Sequence, residues 1–597
     1  MASWSAILRQ FDLQNYPFKV ISLFKAMQRG KPNDPVSDPF VYASLIKACN
    51  KVLGANEGKS IHCHVMRLGL HCNVNILNSL IYFYMSSNRL MSYACQLFNK
   101  SPERTIVTVN CMVSGFLKNK KFDKGLCLFN EVLVGKFGLC LQPNFVTLMV
   151  LISGCVESGR FNIGTLLHSY CCKTGLDLIT EVCNTLIDFY FEYGHADNAV
   201  KLFNAMAEKD LVSWNTMIAG YARSNNCRKA LSSFREMRYR DIEYDTISFV
   251  NLILACAYGG DLDIGKAAHG YIITSGQETP VSLGTVLINM YSRCGLIEFA
   301  RKVFDELPDM NIASWNSMIH GYVENGLHRD ALWLFNKMKY RKVKPDEVTM
   351  LGLISACRNS GELSHGTDVH SYIESNHNLN GNHVLQNALI DMYAKCGNMA
   401  RAKSVFDNMS RKDVISWTSI IVGHAINGEG EEALCAFRQM CEEKVEPNSV
   451  TFIGVLLACD HSGLVEVGQN LYDTMCKVYN IEPQIEHYGC MVDMFARAGM
   501  LEEANEFVRK MSLEPNAVLR RMMINACRVH GIVALGLSLV SSLGKAKKLD
   551  STEDHVISSN IFAQAGRWDD VLYERSKILV LKASKSTGKS SVSDLTD

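Results

Sequence analysis

Three near-identical phrases, "SWNTMIAGY" from Ser213, "SWNSMIHGY" from Ser314 and "SWTSIIVGH" from Ser416, set Trp214, Trp315 and Trp417 at intervals of 101 and 102 residues. A fixed internal period constrains a fold more than any local propensity, because it means that one supersecondary unit stacks on copies of itself. Within 211–245, Trp214, Met217, Ile218 and Tyr221 fall at helical spacing. Ala230, Leu231, Phe234 and Met237 do so again, with Ser224-Asn225-Asn226 as the turn. This is a helical hairpin, here called type 1, ending at Asp245. Its relatives end Lys344-Pro345-Asp346 and Glu446-Pro447-Asn448, where proline stops the second helix.

Two further hairpin types complete the period. Type 2, at 246–280, carries "LACAYGGDLDIGKAAHGYIITSG", and its Cys256 and His269 recur as Cys49, Cys155, Cys357 and Cys459 and as His62, His168 and His370. Type 3, at 281–311, carries "LINMYSRCGLIEFARKVFDELPDMN" and returns as "LIDMYAKCGNMARAKSVFDNMSRKD" from Leu389. Fifteen hairpins fit into residues 1–516. A lone hairpin leaves an apolar face uncovered, so the expected fold is all-α, a right- or left-turning solenoid with a continuous core and no separate domains in that span.

Composition agrees. Hydrophobic residues make up 48% of the chain, enough for a core, and no apolar run reaches the ~18 residues of a membrane helix. The 22 cysteines are scattered through helical stretches rather than grouped as a disulfide framework, which predicts free thiols in a reducing compartment. A net charge of +1 excludes a protein that grips nucleic acid mainly by neutralising phosphates, but leaves base recognition open.

The alternation of unit lengths, with "SWNxMIxGY" opening type 1, resembles the PLS class of plant pentatricopeptide repeat proteins, whose P, L and S repeats correspond to types 1, 2 and 3. The tetratricopeptide repeat has a different Trp, Leu-Gly, Tyr order. The resemblance covers nearly the whole chain and implies a right-handed superhelix. It places type 1 at 1–38 (a degenerate first repeat), 106–144, 211–245, 312–346 and 414–448, and type 2 at 39–73, 145–179, 246–280, 347–382 and 449–484. Type 3 falls at 74–105, 180–210, 281–311, 383–413 and 485–516. The solenoid of P, L and S repeats thus runs over 39–516. Residues 517–550 resemble a degenerate first E motif, lacking the tryptophan usual near Arg520 or Arg521. Residues 551–583, with Gly566-Arg567-Trp568, resemble the second, and 584–597 read as a polar disordered tail. The basic start, Met1 to Gly30, could be a transit peptide or a first repeat, since Trp4 to Leu8 aligns with Trp214 to Ile218.

In this family the fifth residue of a repeat and its last residue read one base of single-stranded RNA, through side chains that donate or accept hydrogen bonds. The resemblance implies uridine for Asn184 with Asp210, Asn215 with Asp245, Asn316 with Asp346, and Asn387 with Asp413. It implies adenosine for Thr285 with Asn311 and Thr418 with Asn448, and a pyrimidine for Asn110 with Asn144. Ser5 with Asp38 suggests guanosine, Asn78 with Thr105 departs from the common code, and Gly489 with Asn516 gives no assignment. Val250, Leu351 and Ile453 at the type 2 reading place cannot bond a base. Val212, Val384 and Ile415, at the second place, either sandwich bases or pack the hairpin. The implied target is 5′ Y-n-U-U-n-A-U-n-U-A, five unread nucleotides, then C.

A zinc deaminase needs His-x-Glu and Cys-x-x-Cys. The family's DYW domain carries that set after the E motifs, and the sequence in hand stops before one could begin, so the expectation is a non-enzyme with no cofactor. The recurring histidines, three repeats apart, cannot meet at one metal, and "STGKSS" at 586–591 has neither the upstream glycine nor the strand of a phosphate loop. The expected function is a monomeric, membrane-free adaptor that selects a cytidine in organellar RNA, mitochondrial rather than chloroplast, for C-to-U editing. A DYW-type deaminase and editing accessory factors would act in trans. The alternatives are RNA stabilisation or splicing without editing, and a protein-interaction solenoid.

Overall fold

The computed structural model describes Ser22 and residues 39–580 apart from 53, 87–89, 102, 139–140, 276–279, 309 and 546–551. Ser5, Asp38, the rest of the repeat at 1–38 and the tail at 584–597 lie outside the described residues. Among the described residues, regular structure is helical throughout, in short α-helices with two single 3₁₀ turns. The chain divides into two compact units, Met1–Pro308 and Asp309–Asp597.

Each hairpin pairs a first helix of about a dozen residues with a second of similar length, as in Leu211–Arg223 with Cys227–Tyr239, turned through Asn225 at φ 54°. Within each unit, first helices pack side by side. A second helix lies against its own first helix and against the next one, so the hairpins overlap like roof tiles. The core is the seam between the two layers, and Cys155, Cys256, Cys357 and Cys459 are fully buried in it as small apolar residues.

The tryptophan period has a packing cause. Trp214 meets Phe203, from the second helix of the preceding type 3 hairpin, edge to face at 4.8 Å, and Trp417 meets Phe406 likewise at 4.7 Å. A large ring closes these two seams, where a short hairpin gives way to a long one. The histidine period closes a different seam. His62, His168, His269 and His370 hydrogen-bond through Nδ1 to the hydroxyls of Tyr84, Tyr190, Tyr291 and Tyr393 at 2.8–3.0 Å, each in the first helix of the following type 3 hairpin. Burial lowers the pKa of all four, which keeps the rings neutral. At the same seam Gly164 and Gly265 admit Phe189 and Met290 so closely that a Cβ would collide with them.

Candidate nucleic-acid interface

The last residue of each unit is the N-cap of the next first helix. Asn144, Asp210, Asp245, Asn311, Asp346, Asp413 and Asn448 each accept, through Oδ1, the backbone N–H three residues on, at 2.8–3.1 Å. The sequence reading assigned these residues to bases and missed this work, although the signal is plain: each is followed at the third place by Ser or Thr, the pattern of a cap whose partner returns a hydroxyl.

Where a type 1 unit precedes a type 2 unit, the two reading residues are joined. Asn215 donates Nδ2–H to Asp245 Oδ1 at 3.1 Å, Asn316 to Asp346 at 3.0 Å, and Asn110 to Asn144 Oδ1 at 3.1 Å. The hydroxyl of the following helix's third residue closes the ring: Ser248, Thr349 and Thr147 lie 2.7, 2.6 and 2.6 Å from the Oδ1 of Asn215, Asn316 and Asn110. Thr418 reaches Asn448 only through Thr451, whose hydroxyl is 2.7 Å from Thr418 and 2.9 Å from Asn448 Oδ1.

The remaining pairs differ. No hydrogen bond joins Asn184 to Asp210, and the buried Asn184 Oδ1 has no partner. Asn387 Oδ1 is likewise buried and unpartnered, although its amide helps to lower the pKa of Asp413. Thr285 gives its hydroxyl to the Val281 carbonyl at 2.7 Å, one turn back in its own helix. Asn311, in the other unit, caps Ile312–Glu324. Asn78 Oδ1 is buried without a partner, and Gly489 offers no side chain.

Burial opposes the charge of Asp245, Asp346 and Asp413, but the backbone and side-chain donors around each outweigh it and lower the pKa. The acids stay ionised, with Oδ2 left to accept from outside. Asn215 and Asn316 are nearly buried, with 9% and 7% of their surface exposed.

Beside each reading residue runs an apolar row. Val107, Val212, Ile247, Val348, Val384, Ile415 and Val450 hold the second place of their first helices and are exposed, Val212 by 57% and Ile415 by 56%. Packing therefore does not account for them. Second and fifth residues are neighbours on a helix face, so Asn110, Asn215, Asn387 and Thr418 stand next to the exposed Val107, Val212, Val384 and Ile415, whereas Asn184, Thr285 and Asn316 have Glu181, Ser282 and Ala313 there. A flat ring could rest on such an aliphatic side chain while its edge meets the pair. The type 2 reading places, Val250, Leu351 and Ile453, are half-buried. No helix is long and apolar enough to cross a membrane, and no cluster of metal-ligating side chains occurs among the described residues.

A model described as the PPR repeat family matches residues 209–257, 310–359 and 412–461, and one described as PPR repeat matches 107–135, 181–211, 285–312, 387–414 and 486–514. A mitochondrial pentatricopeptide repeat-containing protein of Arabidopsis thaliana is 33% identical over 596 residues, covering 98% of this chain and 89% of that protein. A second from the same plant is 34% identical over 571 residues, 95% of this chain and 67% of the relative. A chloroplastic one is 32% identical over 569, 95% of this chain and 64% of the relative. The chain thus spans about two thirds of the length of these last two. Among solved structures, the pentatricopeptide repeat protein PPR10 from maize aligns with TM-score 0.54 at 14% identity, over 97% of this chain and 89% of that one. The same protein in complex with an 18-nt psaJ RNA element aligns with TM-score 0.55 at 15% identity, over 97% and 90%. At such identities the likeness speaks to the fold, an α-solenoid.

Proposed function

This chain belongs to the pentatricopeptide repeat family, and from that premise we propose that it is a sequence-specific adaptor for single-stranded organellar RNA. The observation that carries the reading is the recurrence of an Asn/Asp or Thr/Asn pair from hairpin to hairpin, at Asn215, Asn387 and Thr418 beside an exposed aliphatic residue. An amide donor and a carboxylate acceptor match a base edge, and the aliphatic side chain supports its face. Each contact is worth about 0.5–1.5 kcal/mol net, so the seven pairs discriminate in concert. Relatives named mitochondrial and chloroplastic support the organellar address. The finer reading, selection of a cytidine for C-to-U editing with a DYW-type deaminase in trans, draws its support from the E-like hairpins after residue 516.

Gel-shift titration tests the base reading. RNA of pattern Y-n-U-U-n-A-U-n-U-A should bind at least about tenfold more tightly than one with U and A exchanged. Asn215→Ala with Asn316→Ala should remove most of that difference. Equal affinities for the two RNAs would favour a protein-interaction solenoid. Editing is tested separately by sequencing organellar transcripts after disruption of the gene: loss of editing at cytidines preceded by the pattern supports it, and unspliced or scarce transcripts with editing intact sink it.

A further inference from the structure

We infer that the hydroxyl at the third residue of the type 2 units starting at 145, 246, 347 and 449 is a specificity-determining group, one that fixes what the preceding reading residue offers to a base. The inference rests on the base-reading function proposed above and deepens it. It concerns Thr147, Ser248, Thr349 and Thr451, none of which belongs to a reading pair.

A carboxamide has a donor end and an acceptor end, and unless neighbours hold it, half a turn exchanges them. Neighbours hold Asn316. Asp346 Oδ1 takes an Nδ2 proton at 3.0 Å, and the Thr349 hydroxyl fills Oδ1 at 2.6 Å. Asp346 forbids the flipped state, which would press a carbonyl oxygen against a carboxylate. The same ring closes at Asn215 with Asp245 and Ser248. A base facing either pair meets one remaining N–H of the amide and the free Oδ2 of the acid. Uracil, with carbonyls flanking the N3–H donor, answers both. Cytosine turns the unprotonated N3 toward the carboxylate and does not.

Two pairs of identical composition lack the ring. At Asn184 and Asn387 the hydroxyls of Ser213 and Ser416 go to Asp210 and Asp413 alone, at 2.7 and 2.9 Å, and Oδ1 stays buried without a partner. With no donor on that oxygen the amide is held at one end at most, and it adapts to uracil or to cytosine alike. Asn215 and Asn316 therefore separate uridine from cytidine more sharply than Asn184 and Asn387, although the residue pairs are the same.

The test uses the full chain and RNAs that differ only by U or C opposite Asn316 or opposite Asn387, with Kd measured by titration. In the unaltered protein the C-to-U ratio of Kd should be larger at Asn316. Thr349→Val keeps the shape and removes the hydroxyl; it should lower that ratio by about five- to tenfold, and Thr349→Ser should restore it. Ser416→Ala deletes the corresponding cap hydroxyl without touching Asn387 Oδ1, and should leave the ratio at Asn387 within about twofold. Ser248→Ala repeats the experiment at Asn215 with a smaller deletion, and melting curves confirm folding of each variant. An unchanged ratio in Thr349→Val, or an equal loss in Ser416→Ala, overturns the inference and leaves base reading standing. Failure of the unaltered protein to bind any of these RNAs overturns the base reading itself and this inference with it.

Discussion

The hairpins of 312–462 and those of 517–580 bury polar side chains to similar depth and to different ends. In the first region the buried polar groups are mostly neutral amides and hydroxyls, among them Asn316, Asn387, Thr418 and Thr451 around helix caps, with His424 and Asp460 as the ionisable exceptions. In the second they are largely ionic. His555 Nδ1 meets Glu574 Oε2 at 2.5 Å with both nearly buried, and Arg521 pairs with Asp554 at 2.8 Å and with Glu553. Where the family resemblance leads one to expect a tryptophan near Arg520 or Arg521, Arg521 instead ties the first C-terminal hairpin to acids of the second. The difference teaches that depth alone does not mark a site. A polar group serves recognition when part of its bonding capacity is left over, and the C-terminal charges use theirs on one another.

The contrast breaks most visibly at Glu574. Glu574→Ala leaves the buried His555 Nδ1 without its hydrogen-bond partner and should cost about 1–3 kcal/mol. Hydrogen exchange would rise across 552–580 and stay unchanged in 312–462, because stability in stacked hairpins is set by nearest neighbours. A uniform rise along the chain would contradict this local account.

An intermediate effect comes from the acidic caps. Asp245, Asp346 and Asp413 have folded pKa values below the unfolded carboxylate value near 3.9. The stability they contribute is complete above that value and is lost as pH falls through it toward the lower folded values. Thermal melts should therefore fall off below about pH 4, and Asp245→Asn, Asp346→Asn and Asp413→Asn together should flatten that part of the curve, since asparagine caps without titrating.

The smallest effect on stability is expected at the apolar row. Val212→Ser and Ile415→Ser should change the unfolding free energy by less than about 0.5 kcal/mol, because the replaced groups already face solvent. RNA affinity should fall in the same variants. A large loss of stability would restore the packing explanation for these residues.

Much of this was legible beforehand. Hairpin periodicity, the buried cysteines and the turn at Asn225 follow from helical spacing and a repeated register. The caps were legible too, because Asp or Asn followed at the third place by Ser or Thr is a local signal. Asn184 with Asp210 and Asn215 with Asp245 look identical in sequence, yet only the second pair is bonded.

The sequence by itself determined the period, the hairpin and the Asp and Asn caps, since all of these depend on spacing within a few turns of one helix. Tertiary packing decided which amides are held at both ends and which keep an unpartnered oxygen. That outcome depends on how closely one first helix lies against the next. A difference of about an ångström in that approach separates a hydrogen bond from none, and no spacing along a single helix encodes it.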